Sequence, residues 1–86
     1  MSHILVATDS DDVAEETFSA LAAFGTTVSR VRKGQDVRPV VKKLEPDLVI
    51  LDLQIGNMGG VATSIDLRHE AQAGRLKEVK IIMLLD

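Results

Sequence analysis

The chain has 86 residues, no cysteine, 45% hydrophobic residues and a net charge of −3. That length allows one small domain with a limited core, and the lack of cysteine excludes disulfide staples, so the fold must rest on packing or on partners. The bases (Arg30, Arg32 and Lys33; Lys42 and Lys43; Arg75, Lys77 and Lys80) are scattered with almost no aromatics between them, which excludes a nucleic-acid surface, and no apolar run is long enough to span a membrane.

The start, Met1 to Ala7, has no basic n-region and meets acid by Asp9; it reads as neither signal peptide nor anchor, and a cytoplasmic protein is expected. His3 to Ala7 is a short apolar run of strand type, closed by Thr8-Asp9-Ser10-Asp11-Asp12. There Ser10 and the acids suit the positive N-terminal end of a helix. Val13, Thr17, Leu21 and Phe24 recur at helical spacing with Ala14, Ala20 and Ala22 beside them, and Gly25 stands where a C-terminal cap belongs. Thr26 to Val31 alternates and is rich in β-branched residues, as expected of a half-exposed strand near a sheet edge.

After Gly34, the positions Val37, Val40, Val41 and Leu44 share a helical face. Pro39 is tolerable only in the first turn, and Pro46 stops the run. Pro46 to Gly60, PDLVILDLQIGNMGG, is the stretch around which the chain is organised. Leu48 to Leu51 is an unbroken apolar run, which suits a strand buried on both faces of a parallel sheet. It runs out at Asp52 and enters a loop rich in glycine. In open α/β sheets ligands bind outside the carboxyl ends of the strands, so an acid leaving a central strand is well placed to act. An aspartate there also serves as a turn former that bonds its own backbone, and Asp52 alone does not decide between the two roles. Val61, Ile65, Arg68 and Ala71, with Leu67 nearby, predict a third helix ending near Gly74, and Val79 to Leu85 a fourth strand. The order βαβαβαβ predicts an α/β, doubly wound parallel sheet with right-handed crossovers.

Two motifs, ILVATDSDDV and PDLVILDLQIGNMGG, resemble the receiver domain of two-component response regulators, and the likeness spans the chain. It implies a flavodoxin-like sheet. It also implies that Asp52 is the aspartate taking a phosphoryl group from a sensor histidine kinase, that Asp9 is a Mg²⁺-binding acid, and that Gln54 lends its backbone carbonyl to the metal. A carboxylate attacking a phosphoryl group meets charge repulsion, which a cation held by acids, a carbonyl and waters relieves.

The departures carry weight. Receivers usually have two acids after the first strand; Thr8 stands in the first place, so weak metal binding is expected. Asp11 is a candidate substitute, although an acid in a first helical turn also serves the helix dipole. Leu85 stands where a serine or threonine usually ends the fourth strand, so the familiar switch is missing. Ile55-Gly56 and Gly59 replace the usual proline and acid of the loop. The family's last two helices and fifth strand, with its lysine, would fall beyond Asp86. Residues 1–86 are thus expected to form a receiver-like domain truncated after the fourth strand.

This sets a phosphoryl-accepting receiver with impaired switching against a phosphorylation-independent interaction or dimerisation module. A homodimer is expected through the uncovered sheet edge and face. A third reading, an ATP-binding protein, comes from HILVATDSDDVAEETFSAL, which also resembles the opening of universal stress proteins. It is disfavoured because His69 and Glu70 fall where that family's phosphate loop continues. His3 and His69 are isolated, and Glu70 beside His69 cannot share a helical face with it, so neither marks a metal site. No catalytic activity of the enzyme kind is expected.

Overall fold

The computed structural model describes residues 2–22 and 24–85; Met1 and Asp86, which bound the termini discussed above, lie outside them. In chain order the elements are β1 (His3–Ala7), α1 (Asp11–Ala22), β2 (Thr27–Val31), a 3₁₀ turn (Gly34–Asp36), α2 (Val37–Leu44), β3 (Leu48–Asp52), α3 (Gly60–Gln72) and β4 (Lys80–Leu84). The strands form one parallel sheet in the order β2-β1-β3-β4, the flavodoxin-like arrangement. The expected fold class is therefore observed, with β4 one residue shorter at each end than the apolar run suggested.

The two faces of the sheet are covered unequally. Leu5, Ala7, Val49 and Leu51 point to one face and pack with Val37 and Val41 of α2, Leu67 of α3, and Val31, Ile55 and Leu76. On the other face Ile4, Val6 and Ile50 pack with half-buried Leu21 of α1 and with Val28, Leu48 and Leu84. Each apolar side chain taken fully from water contributes about 1.5–3 kcal/mol, so the face shared by α2 and α3 supplies most of the stability.

The start of α1 matches expectation: the Val13 N–H donates to Ser10 Oγ at 3.3 Å, and Asp11 and Asp12 lie in the first turn. Phe24 does not continue its inner face. The helix ends at Ala22, and Phe24, in the turn before Gly25 (φ 64°), is 74% exposed. In α2, Val37 and Val41 are buried as the spacing required, and Glu45 in the left-handed region ends the helix ahead of Pro46.

The face expected of α3 is the clearest correction. Val61 and Ile65 are exposed, whereas Gly60, Thr63, Leu67 and Glu70 face inward. Three polar or steric contacts set that rotation. A Cβ on Gly60 would stand 2.7 Å from the Asp52 carbonyl oxygen, so only glycine allows this approach. Thr63 Oγ1 donates to the Met58 carbonyl at 2.7 Å. Glu70 is held between Arg38 of α2, at 2.6 Å, and Arg75.

Candidate functional site

The parallel register pairs Ala7 with Leu51, so Thr8 and Asp52 leave β1 and β3 side by side at the carboxyl end of the sheet. Asp52 is 4% exposed and Thr8 is fully buried. Thr8 Oγ1 donates to Asp52 Oδ2 at 2.7 Å, and the Gln54 N–H donates to Asp52 Oδ1 at 3.0 Å. Both carboxylate oxygens are thus partnered, as a buried carboxylate requires. The bond to Gln54 is the two-residue turn contact expected of an aspartate at a strand end. Asp52 therefore fills the turn-forming role.

Asp9 emerges at the same end. Its Oδ2 accepts the Gly56 N–H at 3.0 Å, tying the end of β1 to the loop after β3. That loop is anchored on its far side by backbone bonds: the Gly34 N–H donates to the Gly56 carbonyl at 2.9 Å and the Gln35 N–H to the Asn57 carbonyl at 3.0 Å. Asn57 and Met58 take positive φ to make the turn. A Cβ on Gly34 would lie 2.0 Å from the Met58 carbonyl oxygen, so the 3₁₀ turn can seat the loop only with glycine at this position. The structure thus brings Asp9, Asp52 and Gln54 together at one end of the sheet.

Two charged groups next to the site have structural partners of their own. Asp11 is bound by Arg30 Nη1 and Arg32 Nη1, both at 2.9 Å from its Oδ1. The hydrogen bond from Arg30, then that from Arg32, hold its carboxyl below the ordinary carboxylate range. It pairs with β2 and makes no contact with Asp52. Arg30 is not a solvated surface base: its side chain is 16% exposed, and its Nε and Nη2 donate to the Thr8 carbonyl at 3.2 and 3.1 Å. The only sequence signal for this was the alternation of β2, which puts Arg30 on the same face as Val28. The two histidines stay apart from the site; His3 Nε2 lies 2.9 Å from Ser29 Oγ.

Among the described residues no group of three or more His, Cys, Asp or Glu side chains could hold a metal. The donors at the pocket are two carboxylates and nearby backbone carbonyls, all hard oxygens. Asp9 Oδ1 has no hydrogen-bond partner among the described residues. Mg²⁺ binds through one or two carboxylates and keeps several waters, so this donor set fits it, with one acid fewer than a three-acid pocket. On the opposite flank, Leu84 pairs with Asp52 across β3 and β4, and Leu85 follows, 72% exposed and without a hydroxyl.

No curated protein matches the chain. Solved structures do. The N-terminal domain of a response regulator receiver protein from Methanoculleus marisnigri JR1 superposes with a TM-score of 0.83 at 24% identity, over 99% of this chain and 67% of the other. The signal receiver domain of a signal transduction histidine kinase from Syntrophus aciditrophicus gives 0.81 at 27%, over 100% and 65%. The N-terminal domain of a response regulator/sensory box/GGDEF three-domain protein from Carboxydothermus hydrogenoformans gives 0.77 at 26%, over 94% and 62%. The chain thus spans about two-thirds of the length of these structures. The family model described as the response regulator receiver domain matches residues 4–85. With the strand order, the buried aspartate at the end of β3 and a family match over nearly its whole length, the chain belongs to the response regulator receiver family.

Proposed function

We propose that this receiver domain of two-component signalling accepts a phosphoryl group at Asp52. The observation that supports the reading best is the placement of Asp52: buried at the carboxyl end of a central strand, with Asp9 and Gln54 at the same end. In the transfer, a carboxylate oxygen of Asp52 bonds to phosphorus as the bond from phosphorus to the donor breaks, and the leaving group departs with the electron pair. The donor in signalling is a phosphohistidine of a sensor kinase. Asp9, Asp52 and the Gln54 carbonyl would hold Mg²⁺, which when bound neutralises charge on the transferring oxygens. The chain's own residues orient the nucleophile: the Gln54 N–H fixes one oxygen and the Thr8 hydroxyl the other.

Leu84 and Leu85 offer no side-chain donor on the β4 flank. Loss of one preorganised donor to a developing oxyanion costs about 2.7–4 kcal/mol, so transfer is expected to be slow and the switch weak. The test is Mg²⁺-dependent labelling by acetyl phosphate, read by intact mass. Wild type should gain one phosphoryl group and Asp52→Asn none; an equally labelled variant refutes the assignment.

A second reading is favoured by the open flank. Among the described residues β4 is an edge strand, Ile82 is 50% exposed, and an open groove of about 910 Å³ runs between β4 and α3, lined by Leu67, Arg68, Ala71, Val79, Ile81 and Ile82. Unpaired edges and apolar patches of this kind drive association. In this reading the domain is a homodimerising interaction module whose assembly does not require phosphate. Light scattering that finds the same dimer in wild type and Asp52→Asn supports it, and a compact monomer in both refutes it.

A further inference from the structure

Thr8 is fully buried, and its hydroxyl has a fixed direction. A hydroxyl has one proton and two lone pairs. The Ser10 N–H donates to Thr8 Oγ1 at 3.1 Å, occupying the acceptor side, and the proton lies on the 2.7 Å contact to Asp52 Oδ2. The backbone of the same residue is held from behind, since Arg30 donates twice to the Thr8 carbonyl, at 3.2 and 3.1 Å. The donor is therefore preorganised from both sides and touches the reacting carboxylate. No other side-chain donor reaches Asp52 among the described residues.

We infer that Thr8 is a functional residue of the phosphoryl pocket: its hydroxyl is the hydrogen-bond donor that follows the charge from the Asp52 carboxylate to the phosphoryl oxygens. The inference rests on Asp52 being the acceptor. Before transfer the proton meets a negative carboxylate oxygen. Once the oxygen–phosphorus bond forms and the donor leaves with its electron pair, the former carboxylate is neutral and the charge sits on the phosphoryl oxygens. A short hydroxyl beside Oδ2 then gains more by bonding a phosphoryl oxygen, because charge-assisted bonds are about twice as strong as neutral ones. The Thr8 proton stays on its oxygen throughout. A donor handed from the carboxylate to the phosphoryl oxygens keeps a charged partner throughout, so it stabilises the transferring oxygens and the product where a hydroxyl-free side chain would leave them unpaired. An acid at this position would repel the phosphoryl group and leave its stabilisation to a cation; the neutral hydroxyl supplies part of it directly.

The test compares wild type, Thr8→Ser and Thr8→Val, each checked for cooperative unfolding. It follows the initial rate of labelling by acetyl phosphate with Mg²⁺, then the lifetime of the phosphoaspartate after chelation of the metal. Thr8→Ser should stay within a few-fold of wild type in both. Thr8→Val should label on the order of 100-fold more slowly and lose its phosphoryl group faster. Should Thr8→Val fail to fold, Thr8→Ala takes its place with the same expectation. A hydroxyl-free variant that labels at the wild-type rate, with an unchanged phosphoryl lifetime, overturns the Thr8 assignment and leaves Asp52 as acceptor. A wild type that takes no label at all while remaining folded overturns the phosphoryl reading, and the role of Thr8 falls with it.

Discussion

The strands on either side of β3 treat its end in opposite ways. β1 is buried from Ile4 to Ala7 and ends in Thr8, whose hydroxyl meets Asp52, and in Asp9, which ties down the loop. β4 is partly open along its length and ends in Leu84 and Leu85, which bring no polar side chain to the same carboxylate. Both are parallel neighbours of β3 in equivalent register, so backbone geometry does not make the difference. Burial and side-chain chemistry do. A hydrogen bond is best aimed from a support that is itself packed and satisfied, and among the described residues β1 has neighbours on both edges and helices toward both faces, whereas β4 has one paired edge. The site is accordingly one-sided, with its polar partners drawn from β1 and the loop, while the β4 side presents exposed Ile82 and Leu85.

The largest expected effect breaks the packed side. Gly34→Ala pushes a Cβ into the Met58 and Asn57 carbonyls, at 2.0 and 2.5 Å, both backbone atoms that cannot step aside. Overpacking of this kind costs about 3 kcal/mol, seen as a lower urea midpoint, and it should release the loop that Asp9 holds. A variant as stable as wild type would mean that the 3₁₀ turn is not a fixed seat. Thr8→Asp sharpens the comparison by adding a third carboxylate to the β1 side. It should tighten Mg²⁺ at least tenfold, about 1.4 kcal/mol, in calorimetric titration. Unchanged affinity would place the metal elsewhere.

On the open side, Ile82→Lys should change stability by less than about 0.5 kcal/mol, as expected of an exposed position, yet abolish any dimer seen by light scattering. A dimer that survives it does not use β4. The smallest effect concerns Glu70, away from both flanks. The hydrogen bond from Arg75, helped by that from Arg38 and opposed by desolvation, holds its carboxyl below its ordinary value of 4.5. A lowered folded-state value contributes stability that is full above the unfolded value and lost as pH falls through the folded one. Glu70→Gln should therefore lose less stability than wild type as pH drops below 4.5, measured by urea titration at several pH values. The difference should be small, because Arg38 and Arg75 are largely exposed.

The strands were legible because a buried strand in a parallel sheet is written as a short apolar run. His3 to Ala7 and Leu48 to Leu51 are such runs, and the turn residues around Gly25 and Pro46 punctuate them. The site was legible in part. Asp52 stands out as the acid that ends the central run, and Asp9 and Gln54 follow from the resemblance of the two motifs. The inward face of α3 was not legible: Val61 and Ile65 carry the apolar periodicity, but the close approach of Gly60 and the bonds of Thr63 and Glu70 turn them outward. Nor were the bonds of Arg30 to the Thr8 carbonyl, which join two strands and leave no local signal.

What the sequence by itself determined is the succession of elements and the acid at the end of the third strand, since periodicity and turn chemistry are local and act within a few residues. What only the tertiary structure decided is which groups meet that acid. The bond from Thr8 to Asp52 joins residues 44 apart and that from Arg30 to Thr8 residues 22 apart. Such contacts exist only once the parallel register is set, and register is fixed by the burial of whole strands rather than by any residue in the pocket.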